Sequence, residues 1–72
     1  MVDGLSGEEA AALVVRTLPA DQADVVLLRV LGGLEVAEVA RILGKKPGTI
    51  RVLQHRGLRT LAQRLTGKPV TR

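Results

Sequence analysis

The stretch EVAEVARILGKKPGTIRVL, residues 35–53, decides the fold. Apolar side chains recur at helical spacing in its first nine residues, which predicts a short amphipathic helix over residues 35–43. The stripe consists of Val36, Val39, Ala40 and Leu43. The tripeptide GKK then leads to a second helix that begins at Pro47, with Gly44 as the expected C-cap of the first. A short glycine-containing turn between two amphipathic helices is typical of a helix-turn-helix.

The second of these helices, predicted over residues 47–65, has a side that we expect to face the core. At about 100° per residue, five positions lie at Ile50 or within about 60° of it. They are Ile50, Leu53, Gly57, Leu61 and Leu65. Gly57 lies mid-helix, where glycine costs about 1 kcal/mol relative to alanine. We therefore expect a neighbouring helix to approach closely at Gly57. Residues 66–72 are predicted to be a flexible tail.

The opposite side of this helix is basic and polar, yet it is centred on Val52. The residues around it are Thr49, Arg51, His55, Arg56, Arg59 and Gln63. In a DNA major groove, a valine can contact thymine methyl groups while an arginine reads guanine. The alternative is an ordinary solvated surface with one exposed apolar residue. His55 is compatible with a base contact, a phosphate contact or neither.

The start of the helix supplies a second indication of an anion. Lys46 stands at the expected N-cap position, although lysine is a poor N-cap and adds positive charge to the positive end of the helix dipole. A bound phosphate would turn that unfavourable charge into an attraction. Glu35 is an equally poor N-cap for the preceding helix and has no such explanation, so we expect it to weaken that helix.

Two further helices precede this pair. Ser6 and Glu9 form a capping box, which predicts a helix over residues 6–17. Pro19 in the first turn opens a helix over residues 20–31, which a glycine pair ends. This second helix is apolar around most of its circumference, so it is either deeply buried or partly available to a protein partner. The chain is therefore predicted to be one all-α domain of four helices.

Charge divides the chain into two unlike parts. Residues 1–40 contain all seven acidic residues and two arginines, whereas residues 41–72 contain nine Lys or Arg residues and no acid. Such an uncompensated basic region indicates nucleic acid or an anionic membrane, with a solubilising tail as the alternative. The chain has no aromatic residue on which single-stranded bases would stack. Duplex DNA is therefore the favoured ligand.

The composition argues against other functions. With no cysteine and one histidine, the sequence offers no disulfide, no metal site and no catalytic constellation, so we expect neither an enzyme nor a cofactor. No apolar run approaches the roughly 18 residues of a membrane span, and the acidic start is unlike a signal peptide. We expect a monomeric cytoplasmic domain that does not bind membranes.

Four groups of residues make residues 18–65 similar to a known family. They are Leu18-Pro19 with Gln22 and Leu28-Arg29, Glu38-Val39-Ala40 with Leu43-Gly44, Gly48-Thr49-Ile50-Arg51, and His55-Arg56-Gly57-Leu58. Together they resemble region 4, the C-terminal domain of bacterial sigma-70-class sigma factors, above all the extracytoplasmic-function group. That family has an all-α helix-turn-helix fold of the winged-helix-like DNA-binding type. It often carries Ser or Thr where Glu35 and Lys46 stand, and alanine in place of Gly57.

The resemblance implies recognition of the −35 promoter element in double-stranded DNA, docking on the β flap of the RNA polymerase core, and control by an anti-sigma factor. By this resemblance, the residues that face the bases are Arg51, Val52, His55 and Arg56. Those that face phosphates are Lys46, Thr49 and Arg59. Lys45 and Pro47 complete the predicted DNA-binding set at the turn. Since nothing here resembles region 2, which a sigma factor also needs, we expect a fragment of a longer protein.

Two alternatives remain open. The output domain of a LuxR-type response regulator has similar helices, but such domains usually dimerise on palindromic sites. A module that acts mainly by binding an anti-sigma factor or another protein through its first two helices is the second. A requirement for core polymerase would favour a sigma factor over the LuxR-type domain. A stable protein complex formed through the first two helices would favour the interaction module.

Overall fold

The computed structural model describes residues 6–66, which form four helices and no strand, so the all-α helix-turn-helix prediction is confirmed. The helices are α1 (Gly7–Thr17), α2 (Ala20–Val26), α3 (Val36–Leu43) and α4 (Pro47–Thr66), and α2 runs on directly into a π segment (Leu27–Leu31). The predicted tail falls on residues 67–72, outside the described part of the chain, and Thr66 still belongs to α4.

The capping box of α1 is confirmed, whereas the position expected for Pro19 is wrong. Ser6 Oγ accepts the Glu9 N–H at 3.1 Å, and the Glu9 carboxylate accepts the Ser6 N–H at 3.0 Å. Pro19 precedes the first turn of α2 as its N-cap, with an extended ψ of 156°, and its carbonyl accepts the Ala23 N–H at 2.9 Å. The proline also holds Leu18 extended, which separates α1 from α2.

The helix predicted over residues 20–31 is α-helical over residues 20–26 and continues as a π segment over its last five residues. The Gly32 N–H donates to the Leu27 carbonyl at 2.8 Å, five residues back, where an α-helix would use Leu28. The apolar pattern does not distinguish these two registers, because both keep the segment helical. Within this segment, Val30 and Leu31 are 54% and 47% exposed although the sequence around them is almost entirely apolar.

The backbone groups at both ends of α3 have more hydrogen-bond partners than expected. The Glu38 carboxylate accepts the Glu35 N–H at 3.1 Å, so the weak start predicted from Glu35 is compensated three residues later. At the other end, Gly44 adopts a left-handed conformation with φ of 68°. The Lys45 N–H then donates to the Ala40 carbonyl at 2.9 Å. The predicted glycine C-cap is thus confirmed, and it turns the chain sharply toward α4.

Two apolar clusters hold the helices together. The helix-turn-helix cluster joins α2, α3 and α4 and consists of Val25, Val39, Ala40, Ile50 and Leu53. The α1 cluster joins α1, α2 and α4 and consists of Val14, Leu18, Ala23, Val26 and Leu61. The predicted core stripes of α3 and α4 are confirmed with one exception. Leu65 is 63% exposed, because one turn beyond Leu61 it lines an open groove and no helix covers it.

At Gly57, α4 closely approaches α2 and the segment before it. A Cβ at this position would lie 2.9 Å from Val26 Cγ2 and 3.2 Å from Leu18 Cδ1. The close approach expected from a mid-helix glycine is therefore confirmed. It lets one straight helix pack against both apolar clusters.

Candidate nucleic-acid interface

The first turn of α4 has features that suit an anion. Lys46 is its N-cap by backbone geometry, since the Lys46 carbonyl accepts the Ile50 N–H at 3.1 Å. The lysine side chain carries only donors, so it cannot cap the amides of Gly48 and Thr49. Pro47 has no amide hydrogen. The turn therefore presents exposed helix N–H groups beside a cationic side chain, which is the usual setting of a phosphate site.

All nine residues predicted to bind DNA are exposed, and all lie in the turn or in the first 13 residues of α4. They are Lys45, Lys46, Pro47, Thr49, Arg51, Val52, His55, Arg56 and Arg59. From Pro47 to Arg59 the helix rises about 18 Å. Val52 is 48% exposed, so the apolar residue expected outside the core is indeed outside it. The roles of the nine residues toward DNA stay predictions.

From Arg41 onward, every charged residue of the sequence is basic. No acidic residue follows Glu38 in the sequence, and Arg41 and Arg64 add two more exposed cations to the surface. A surface with this distribution attracts polyanions over several ångströms and raises their association rate. The exposed acids of the described chain lie on α1, on α2 and at Glu35.

Other kinds of site have little support among residues 6–66. No group of three or more His, Cys, Asp or Glu residues in this range is arranged to hold a metal ion. None of the helices formed by these residues combines the length and apolarity needed to cross a membrane.

Sequence reasoning missed two residues that connect α4 to the rest of the domain. Arg29, in the π segment, is partly buried and donates from Nε to Gln54 Oε1 at 2.9 Å. Its Nη1 donates to the Leu34 carbonyl at 2.6 Å. The available signal was an arginine within an otherwise apolar run over residues 25–31. Its partner, 25 residues away, has no signal in the sequence.

A second surface lies where α1, the π segment and α4 meet. It is an open groove of about 180 Å³. Its lining is entirely apolar: Ala10, Leu13, Val14, Val26, Val30, Leu31, Leu58, Leu61 and Leu65. Four of these side chains are between 39% and 63% exposed. The apolar second helix is thus divided between core and surface, as one of the two sequence interpretations anticipated.

Residues 12–61 match the protein family described as Sigma-70, region 4. The ECF RNA polymerase sigma factor BldN of Streptomyces coelicolor is 53% identical over 51 residues, which cover 71% of this chain and 19% of BldN. ShbA of Streptomyces griseus, also an ECF RNA polymerase sigma factor, is 38% identical over 68 residues, covering 82% of this chain and 36% of ShbA. The chain therefore spans about a fifth to a third of the length of these relatives.

A solved structure of an RsbN-BldN complex contains a chain with the same fold. The TM-score is 0.67 and the identity 51%, over 78% of this chain and 41% of that chain. The two chains are therefore similar in sequence as well as in fold.

Proposed function

Because the chain belongs to the sigma-70 region 4 family, we propose that it recognises the −35 element of promoter DNA as part of a sigma factor for RNA polymerase. One observation carries the proposal: the nine predicted DNA-binding residues are all exposed along the turn and α4, in a stretch of sequence, residues 41–72, that has no acidic residue. The ECF relatives support the extracytoplasmic-function group within that family. The family match also favours a sigma factor over a LuxR-type regulator.

In the mechanism that we infer, α4 enters the major groove by its first turns. The amides of Gly48 and Thr49, with Lys46 beside them, hold a phosphate and set the register. Arg51 and Arg56 then donate to base edges, and Val52 contacts a thymine methyl group. His55 is exposed on the same surface, within reach of either kind of contact. Phosphate contacts supply affinity, and base contacts supply sequence preference.

The domain performs no catalysis in this proposal. A single module of this size buries about 600–1,000 Å² on DNA, so alone it binds weakly. Attachment to the β flap of polymerase and to the remainder of a sigma factor raises its effective concentration at the promoter. The proposed place of action is the cytoplasm, where polymerase and promoter meet.

Selection of DNA tests this proposal. A duplex library with a randomised central segment is incubated with the 72-residue chain, and bound duplexes are sequenced. We expect one short motif to be enriched, with affinity that falls steeply as salt rises because cations replace counterions on phosphates. The proposal is contradicted if the bound duplexes share no motif, or if binding does not weaken as salt rises.

The position of the motif in a promoter needs a second experiment. Residues 12–61 replace the matching part of BldN, and run-off transcription with core polymerase is measured on promoters that carry the selected motif at −35 or a scrambled motif. We expect transcription to depend on the motif, and Arg56→Ala to remove that dependence. Transcription that ignores the motif argues against −35 recognition.

We further propose that the apolar groove binds a protein, which we identify as an anti-sigma factor. Two observations support it: four half-exposed apolar side chains surround the groove, and the similar BldN chain was solved in a complex with RsbN. A partner helix with one apolar face would bury these side chains. A partner bound here contacts the same α4 that carries the DNA-binding residues, so it is well placed to control them.

Titration calorimetry with purified RsbN as the probe tests the groove. We expect binding by the unmodified chain and a loss of at least about tenfold in affinity for Leu31→Glu, because a carboxylate placed in the interface must be desolvated. Ile42→Glu is the matched control, since Ile42 is 59% exposed on α3, outside the groove. Equal effects of the two substitutions, or no binding by the unmodified chain, contradict this assignment.

A further inference from the structure

Arg29 joins three parts of the helix-turn-helix through one planar group. Its guanidinium leaves the π segment, bonds to the backbone just before α3 at Leu34, and bonds to α4 at Gln54. Both acceptors are neutral and the contacts are partly buried, so solvent competes with them less than at the surface. The rigid fork of the guanidinium fixes the directions of both bonds, which a lysine cannot do.

Gln54 lies on the side of α4 opposite Val52 and Arg56. It is two residues from each of them, which places its side chain about 160–200° around the helix from theirs, and it is about 60° from that of Arg51. Arg29 therefore holds α4 from the side opposite Val52 and Arg56. It is also outside the nine residues that the sequence assigns to DNA.

Apolar packing fixes which side of α4 faces the core, because Ile50 and Leu53 are buried in the helix-turn-helix cluster. It restricts small rotations about that orientation less, since apolar contacts are not directional. The two hydrogen bonds of Arg29 are directional and oppose such rotations. A rotation of α4 by more than about 10–20° would move Val52 and its neighbours out of the geometry that base contacts need.

We propose that Arg29 is a positioning residue that sets the rotation of α4 and thereby the sequence preference of the domain. The inference rests on the proposed function, since it assumes that α4 reads bases. Its effect falls on discrimination between DNA sequences and leaves general affinity for DNA in place. Arg29 acts through Gln54, so the loss of either side chain has the same consequence.

The test compares three variants of the 72-residue chain. Arg29→Met keeps a long apolar stem but removes both bonds, and Gln54→Met removes one acceptor at nearly constant shape. Arg16→Met is the matched control, because it removes the same charge from an exposed position on α1. For each variant, dissociation constants are measured on the selected −35 duplex and on a scrambled duplex. Amide residual dipolar couplings report the orientation of α4 relative to α2.

We expect Arg29→Met and Gln54→Met each to lower the ratio of the two constants by about tenfold, the size of a lost base contact. Relative to Arg16→Met, binding to the scrambled duplex stays unchanged, and the couplings of α4 shift. The double variant falls no further than Arg29→Met, because that substitution already removes the bond to Gln54. If Arg29→Met fails to fold by circular dichroism, Gln54→Met alone decides.

Two outcomes overturn the inference: a sequence ratio and couplings equal to those of Arg16→Met, or equal loss of affinity for both duplexes. If the unmodified chain shows no sequence preference, the proposed function is wrong. In that case the amide residual dipolar couplings of α4 still test whether Arg29 positions this helix. Couplings unchanged in both Arg29→Met and Gln54→Met would reject the positioning role.

Discussion

Two faces of one helix behave oppositely in this domain. The packing face of α4 consists of Ile50, Leu53, Gly57 and Leu61, all buried. The DNA face consists of Val52, His55, Arg56 and Arg59, all exposed. The two faces alternate along the same turns, so neighbours in the sequence have unrelated tasks. We therefore expect that substitutions only a few residues apart alter stability and DNA recognition independently.

The energetic weight of the packing face is large for so small a chain. Full burial of one branched aliphatic side chain contributes about 1.5–3 kcal/mol. A domain of this size typically has about 3–5 kcal/mol of net stability. Each buried residue of α4 is therefore close to indispensable, whereas exposed residues usually change stability by less than about 0.5 kcal/mol.

The largest effect is expected at Ile50, which is completely buried. Ile50→Ala should lower the free energy of unfolding by about 2–5 kcal/mol, through lost burial and the cavity left behind. Val52→Ala, two residues away on the DNA face, should change it by less than about 0.5 kcal/mol. Urea denaturation followed by circular dichroism measures both. Similar losses for the two variants would mean that α4 is rotated relative to this structure.

Gly57 tests how closely the helices approach. Gly57→Leu should lower the free energy of unfolding by about 1–3 kcal/mol, because the new side chain meets Val26 and Leu18. Gly48→Leu is the matched control: a Cβ there has no heavy atom within 4 Å, so it should gain up to about 1 kcal/mol from helix propensity. Thermal melts of both variants decide. Stabilisation by both would rule out close packing at Gly57.

The DNA face should lose recognition without losing stability. Arg56→Ala should reduce discrimination between the selected and scrambled duplexes by about 1–3 kcal/mol and relax the preference at one base position. Arg59→Ala should weaken binding to both duplexes alike and reduce the salt slope by about 1. Fluorescence anisotropy over a salt series separates the two patterns. If Arg56→Ala weakens both duplexes equally, Arg56 contacts a phosphate instead.

The smallest effect is expected at Lys46, where one substitution should raise stability and weaken DNA binding. Lys46→Ser supplies an N-cap acceptor and removes a cation from the positive end of α4, which should raise the free energy of unfolding by about 0.5–1 kcal/mol. The same change should weaken DNA binding and reduce the salt slope by about 1. Thermal melts and anisotropy are measured on one preparation. A gain in both stability and affinity would exclude a phosphate contact at Lys46.

Most of α3 and α4 was predictable because the evidence is local. Four apolar residues at helical spacing, a left-handed Gly44 and the two-sided pattern of α4 each involve residues within a few turns of one another. The candidate site was predictable for the same reason, as charge and exposure follow the helical period. Pro19 was predicted inside the first turn, where proline is most frequent, but it lies one position earlier, as the N-cap.

The sequence by itself determined where the four helices lie, which side of α4 is buried and where the positive charge collects, because these depend on spacing and composition. Tertiary structure alone decided the π register of residues 27–31, the exposure of Leu65, the groove and the bond from Arg29 to Gln54. Each of these depends on which distant segments meet, and a periodic pattern carries no information about that. The candidate DNA-binding residues of α4 are therefore readable from the sequence, whereas the contact between Arg29 and Gln54 is not.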